Sequence, residues 1–254
     1  MHIYREPKVT LLARQEYLGA PHIRWESDSD VPAETVAEFA GRLCYLSFGP
    51  EAGLEGGHKL IQGRTSNKDY LDNILNVRHG SVLEHGVWTF LFEGISRALT
   101  HELVRHRHFS YSQLSQRYVD ESDVGFVLPP EIEEGTAAFD VWKRACEAAL
   151  EQYRALLAEV ENLVQDEPKA TLRRKRARQA ARSVLPNATE TKIVVTGNAR
   201  AWRHFIELRA SDAAEAEIRR LAIEVLQVLQ QEAPHIFGDY RIENGVAVTE
   251  YRSV

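Results

Sequence analysis

The stretch GVWTFLFEGISRALTHELVRHRHFSYSQLSQRY (86–118) changes its period partway along. Residues 86–94 are β-branched and aromatic between two glycines, the composition of a core strand. From Ile95 onward the apolar residues recur at Ile95, Leu99 and Leu103, which predicts a helix. The helix then opens into a run that concentrates arginines, histidines and serines. A second segment repeats this plan: ETKIVVTGN (190–198) reads as a β-branched strand that turns at Gly197-Asn198 into the helical ARAWRHFIELRAS (199–211).

The remaining elements are read outward from these two. PKVTLLA (7–13) predicts a short strand, and 32–48 a helix with Pro32 in its first turn and apolar positions at Val36, Phe39, Leu43 and Leu46. Gly49, Gly53, Gly56, Gly57 and Gly63 mark 49–66 as a surface loop, after which Ser66 caps a helix to about 78. GFVLPP (125–130) is extended. Phe139, Trp142, Cys146, Ala149, Tyr153, Leu156, Val160 and Leu163 form an apolar stripe about seven turns long. A basic helix over 168–184, an amphipathic helix over 212–231 and an edge strand in VAVTEY complete the chain. Strands and helices do not alternate strictly. The reading is therefore an α+β fold, a mixed or antiparallel sheet layered with long helices, in a single domain over 1–254.

The formal net charge of −6 gives no whole-molecule attraction for nucleic acid, and no run is apolar enough to span a membrane or act as a signal peptide. Two cysteines, Cys44 and Cys146, provide no disulfide framework, so a soluble, cytoplasmic protein is expected. Both read as core residues rather than nucleophiles, since neither has cations around it. HELVRH (101–106) resembles a zinc motif, but Arg105 stands four residues after His101, where the second ligand belongs. Gly57 and Gly63 lack the spacing and the lysine of a phosphate loop. KATLRRKRARQAAR (169–182) contains no acid, so it reads either as an RNA-binding face or as a solvated helix side; it lacks aromatics for stacking bases. Arg182 differs from the rest because it abuts the apolar SVLP, where a cation has more reason to meet an anion.

The donor-rich segments carry the chemistry. Arg200 and His204 are four apart and share a helix face, Arg209 lies little more than a turn beyond, and Asn198 sits where strand meets helix. Together with Arg105, His106 and Arg107 they suit a phosphorylated, planar ligand rich in acceptors.

RHRHFSYSQLS (105–115) is similar to the signature of flavin-dependent thymidylate synthases: Arg-His-Arg, seven residues, then serine. HGSVLEH (79–85), RSVLPNATET (182–191) and TGNARAWRHFIELRAS (196–211) agree with it, and the resemblance is best from about His79 to Ser211. It implies synthesis of dTMP from dUMP, with 5,10-methylenetetrahydrofolate as carbon donor and NADPH as reductant through FAD. It also implies a homotetramer with active sites at subunit interfaces and no role for nucleic acid or membrane. By the same resemblance Ser81, Arg105, His106, Arg107, Gln113, Asn198, Ala199, Arg200 and His204 fall at FAD positions. Glu102, Arg105, Gln113, Leu114, Ser115, Gln116, Arg117, Arg182 and Arg209 fall at dUMP positions, with Arg209 as the catalytic cation that polarises the uracil. Many members of that family carry asparagine and glutamate where this chain has Ser112 and Gln113. The competing expectation is an RNA-binding protein that uses the 169–182 helix.

Overall fold

The computed structural model describes residues 1–55 and 64–254, so Gly56, Gly57 and Gly63 of the predicted glycine loop lie outside the described residues. In chain order the elements are β1 (Ile3–Tyr4), β2 (Lys8–Arg14), α1 (Pro32–Cys44), α2 (Asn67–Asn76), α3 (Gly80–Leu83), β3 (Val87–Ser96), α4 (Arg97–Leu103), β4 (Ser110–Gln113) and β5 (Phe126–Val127). Then follow α5 (Ala137–Leu163), α6 (Ala170–Ala181), β6 (Glu190–Asn198), α7 (Ala199–Arg209), α8 (Ala216–Glu232), α9 (Pro234–Phe237), β7 (Arg241–Glu243) and β8 (Val246–Val248). One four-stranded sheet has the order β2-β3-β6-β4, and two small sheets pair β1 with β5 and β7 with β8. The fold is α+β. No helix among the described residues is long and apolar enough to cross a membrane.

Both strand-to-helix joins form without a loop, and each uses a side chain to make the switch. The last residue of β3, Ser96, accepts a hydrogen bond from the Leu99 amide, and the last residue of β6, Asn198, accepts one from Ala201. An oxygen at that position satisfies a first-turn N–H that has no partner inside the helix.

The chain divides into two compact units made of interleaved segments: Met1–Lys8, Phe92–Arg105 and Tyr111–Val194 in the first, and Val9–Leu91, His106–Ser110 and Val195–Val254 in the second. In the first unit α5 packs on α6 through Tyr153 and Leu157 against Ala177 and Ala181, small residues that let the helix axes approach. The predicted stripe on α5 is only partly right. Cys146 and Tyr153 are buried, Leu150 and Leu157 join them, and Leu163 at its end is exposed.

In the second unit Trp88 meets Phe237 edge-on, and Phe90 meets Trp202 likewise at 5.1 Å between centroids, while α8 buries Ile218, Leu221, Val225, Leu226 and Leu229. Here α1 departs from expectation. Its inward face is polar, carrying Glu34, Glu38 and Arg42, while Leu43, Leu46 and Cys44 are exposed. Satisfied hydrogen bonds explain how a charged face can be buried. Glu38 accepts from Arg42 Nε, Asn67 Nδ2 and Ser27, and Glu34 accepts from Ser29 and the His235 amide. The described start of the glycine loop is likewise not all surface, since Gly49 and Ala52 are buried. The expected strand in VAVTEY is β8. It forms a hairpin with β7 through Asn244-Gly245, whose φ values of 51° and 76° suit the mirror-image turn that such hairpins need.

Candidate active site

In the second unit, β6 and its Asn198 cap aim the first turn of α7 into a cavity of about 470 Å³. Asn198, Arg200, Ala201 and His204 line it, with Glu84, His108, Ser253 and Val254. Arg200 is held by Glu84, Nη1 to Oε1 at 2.7 Å, and by the Val254 carbonyl at 3.3 Å. The positive end of α7, with Arg200 and His204 beside it, makes the cavity a place for an anionic group. Ala199 is buried and its amide donates to Gly86 O, so it contributes backbone geometry. Ser81 on α3 and Arg107 are exposed.

Arg209, at the end of α7, donates from Nε to His106 Nε2 at 3.1 Å. The His106 ring is buried against Phe205, at 5.2 Å between centroids, and near Phe109. Burial, then the Arg209 and His204 charges, hold its pKa down at about 4. The imidazole is therefore neutral near pH 7 and its Nε2 lone pair faces Arg209, which puts the proton on Nδ1. Phe109 stacks on Trp202 at 4.3 Å, and a Cβ on Gly197 would lie 2.3 Å from its ring. Two residues without a role in the sequence reading thereby acquire one: His108 lines the cavity and Phe109 wedges the Arg-His-Arg segment against β6.

The first unit holds the other predicted residues. Glu102 lies on α4, and Arg105 follows it, exposed. Gln113 ends β4 and donates from Nε2 to Thr100 at 3.2 Å. Leu114–Tyr118 is a loop held at both ends by arginine: Arg97 Nη2 donates to Leu114 O at 2.8 Å, and Arg178 Nη1 to Tyr118 O at 2.6 Å. Within it, Ser115 Oγ accepts from the Arg117 amide and Gln116 is buried. Arg97, Arg117 and Arg178 each keep a buried Nε with no partner, and Arg182 is close enough to repel Arg97. Buried N–H groups left open on several guanidiniums suit an anion such as phosphate. Arg117, Tyr118, Lys175 and Arg178 line a cavity of about 360 Å³. Nearby, Glu121 is 2% exposed and its Oε1 has no partner; burial pushes its carboxyl up to about 7.

The basic helix is not an unanswered run of charge. Glu167 takes Arg176 as an ion pair and Arg173 through its carbonyl, Asp120 pairs with Arg178, and Lys175 lies over the Tyr118 ring at 4.9 Å. The acids missing from 169–182 come from Glu167 just before the helix and from Asp120 well upstream. Arg178 was missed as a site residue, although it stands one helical turn before Arg182 on the same face. Glu84 stood within the quoted HGSVLEH; Arg97 had no local signal. Neither cysteine suits nucleophilic attack: burial pushes the Cys146 thiol up to about 11, and Cys44, though exposed, is not among the residues of either cluster.

A family model described as thymidylate synthase complementing protein matches residues 28–235, more than the 79–211 over which the sequence resemblance was best. Proteins named flavin-dependent thymidylate synthase from Mycolicibacterium vanbaalenii and Mycobacteroides abscessus are each 51% identical over 235 residues, 92% of this chain and 90% of theirs. One from Mycobacterium tuberculosis is 50% identical over the same share. Among solved structures, the UMP/dUMP methylase PolB from Streptomyces cacaoi bound with 5-Br dUMP has a TM-score of 0.66 and 22% identity, covering 94% of this chain and 96% of that one. That likeness is one of fold.

Proposed function

The chain belongs to the family of flavin-dependent thymidylate synthases, and from that premise we propose how its residues divide the work. The substrate is dUMP, the carbon donor 5,10-methylenetetrahydrofolate, the reductant NADPH and the cofactor FAD. The observation that carries the division is that each unit holds its own donor set: the α7 cavity with Asn198, Arg200 and His204 in one, and the arginine-held loop 114–118 with its open guanidinium N–H groups in the other.

The α7 cavity fits an anionic cofactor because a helix N-terminus, Arg200 and His204 converge on it. Asn198, Ala199, Arg200 and His204, with Ser81, Arg105, His106, Arg107 and Gln113, would hold FAD. When bound, flavin supplies the reducing equivalents that NADPH delivers. Arg117 and Arg182 would take the dUMP phosphate, helped by the open N–H groups beside them. Glu102, Arg105, Gln113, Leu114, Ser115 and Gln116 would orient the nucleotide.

Arg209 is the catalytic residue of this reading. A guanidinium at the O2/N3 edge of uracil stabilises negative charge that builds as C5 becomes nucleophilic, which replaces attack by a thiol at C6. His106, neutral near pH 7, accepts from the Arg209 Nε without adding a charge of its own. Ser115 binds rather than attacks, since its Oγ accepts from the Arg117 amide.

The active enzyme is a homotetramer with sites at subunit interfaces. Exposed apolar side chains such as Leu43, Tyr45 and Leu163 support an assembly that would cover them. The whole chain, 1–254, acts as one domain, in keeping with its interleaved units. A cytoplasmic setting agrees with two free thiols.

The test is a visible spectrum of the purified protein followed by assay for dTMP. A yellow protein bleached by NADPH, and dTMP formed from dUMP and methylenetetrahydrofolate, are expected. A colourless protein after FAD is supplied, with salt-sensitive RNA affinity, would replace this reading with the RNA-binding one. Arg209→Ala should abolish turnover with flavin retained. Arg182→Ala should chiefly weaken dUMP binding, by about ten- to a hundredfold for a lost charged hydrogen bond.

A further inference from the structure

We infer that the segment 249–254 is a positioning strap for the α7 cavity: it lies along α7 and, with Glu84, fixes the Arg200 guanidinium that meets the anionic part of the cofactor. The inference rests on the reading of that cavity as the FAD site. All six residues of the strap lie beyond the region 28–235 that the family model matches.

Hydrogen bonds stitch the strap down, and three of them reach one side of α7. Thr249 Oγ1 donates to Asp239, whose carboxylate also takes the buried Arg203. Arg203 Nη2 donates onward to the Tyr251 carbonyl at 3.2 Å, the Ser253 amide donates to Glu207 Oε2 at 3.0 Å, and Arg200 Nε donates to the Val254 carbonyl at 3.3 Å. Arg200, Arg203 and Glu207 are spaced by three and four residues, so they share a face of the helix. The packing is close. A Cβ on Gly80 of α3 would lie 2.6 Å from the Val254 carbonyl carbon and 2.8 Å from Arg200 Nε, so the glycine leaves room for both partners of that bond. Ser253 holds a φ of 58°, in the left-handed region that a residue with a Cβ seldom adopts, so its surroundings impose the turn.

An arginine stem has many rotamers, and a single acceptor would let its fork swivel. Here Glu84 Oε1 takes Nη1 at 2.7 Å and Val254 takes Nε. Two acceptors on two nitrogens set the plane of the guanidinium beside the cavity that Ser253 and Val254 also line. An anionic ligand then meets a cation already oriented, and binding spends less on ordering it.

The test measures FAD dissociation constants by titration of the full-length protein, with thermal melts to establish folding. Gly80→Ala forces Val254 and Arg200 to shift while replacing neither, and should weaken FAD by about tenfold, the effect of one hydrogen bond to a charged group. Glu207→Ala unties Ser253 and should weaken FAD by about two- to tenfold. Glu207→Gln, whose amide oxygen still accepts from the Ser253 amide, should restore most of that loss. In an Arg200→Ala background, Gly80→Ala and Glu207→Ala should leave the FAD affinity where Arg200→Ala alone sets it, since a strap that acts through Arg200 has nothing left to hold. Unchanged affinity in Gly80→Ala or in Glu207→Ala, or equal losses in Glu207→Ala and Glu207→Gln, would overturn the inference. So would a further fall in the Arg200→Ala background, which would make the strap a wall of the cavity instead of a guide for the arginine. If Gly80→Ala does not fold, the Glu207 pair, alone and with Arg200→Ala, decides the matter. A wild-type protein that takes up no FAD would instead strike the reading of the cavity, so the two failures are separable.

Discussion

Glu121 and His106 are buried titratable side chains whose pKa values are pushed in opposite directions from the ordinary. Glu121 is raised to about 7 in the folded protein, chiefly by burial. Its contribution to stability is therefore full below pH 4.5 and is lost as pH rises through 7, by up to about 3 kcal/mol at 1.36 kcal/mol per unit. His106 is lowered to about 4, so its contribution is full above pH 6.5 and is lost as pH falls through 4. Glu121→Gln should therefore unfold at a higher temperature than wild type at pH 8 and at the same temperature at pH 4.5. Parallel melting curves across that range would contradict the assignment. Gly197→Ala tests the wedge. A Cβ there would stand 2.3 Å from the Phe109 ring, and relief requires the ring or β6 to move. A stability loss of about 1–3 kcal/mol is expected, typical of overpacking, with flavin content falling alongside because the His106–Ser110 segment shifts. Unchanged melting and colour would show that the ring yields freely.

At the level of elements, β6 and α7 were legible because a β-branched run, a turn pair and a helical period follow one another locally. The same holds for β3 with α4 and for the Ser66 cap of α2, whose side chain accepts from Asp69. Asn198→Ala should cost about 1 kcal/mol by the loss of the cap, and should loosen flavin binding because it frees the first turn of α7. Asn198→Asp, which keeps an acceptor there, should spare the cap, and calorimetry with flavin titration would distinguish the two. The face of α1 was not legible. A 3.6-residue period assigns the apolar side inward, but Glu34, Glu38 and Arg42 find partners in Ser27, Ser29, Asn67 and His235 that no window of sequence contains. Arg42→Ala leaves Glu38 buried beside an empty place and should cost about 3–5 kcal/mol in chemical denaturation. The Asn244-Gly245 hairpin was different, since its signal stood in the sequence and the strand was read without its turn. For the site, donor type and spacing marked two donor-rich segments, and the family resemblance chose residues within them. They could not pair them: Arg105 and His106 are neighbours in sequence yet belong to different units, and His106 takes its partner 103 positions away.

On the scale of the whole molecule, the proposed assembly makes a prediction about mixtures. Chains with Arg117→Ala and chains with Arg209→Ala should each be inactive alone, and co-expression should restore part of the dTMP synthesis if each site draws on two chains. Absence of any recovery in demonstrably mixed tetramers would argue that one chain supplies both residues. The interleaving of the two units has a further consequence, which concerns synthesis on the ribosome. The second unit takes segments from the start, middle and end of the chain, and the Arg-His-Arg run crosses from one unit to the other between residues 105 and 106. His106 is made 103 residues before Arg209, a wait of roughly 5 to 20 s at ordinary elongation rates. Throughout that interval the nascent chain carries a histidine and a phenylalanine whose packing partners do not yet exist. The α7 lining of the cavity therefore cannot form on a chain broken off before Ala199.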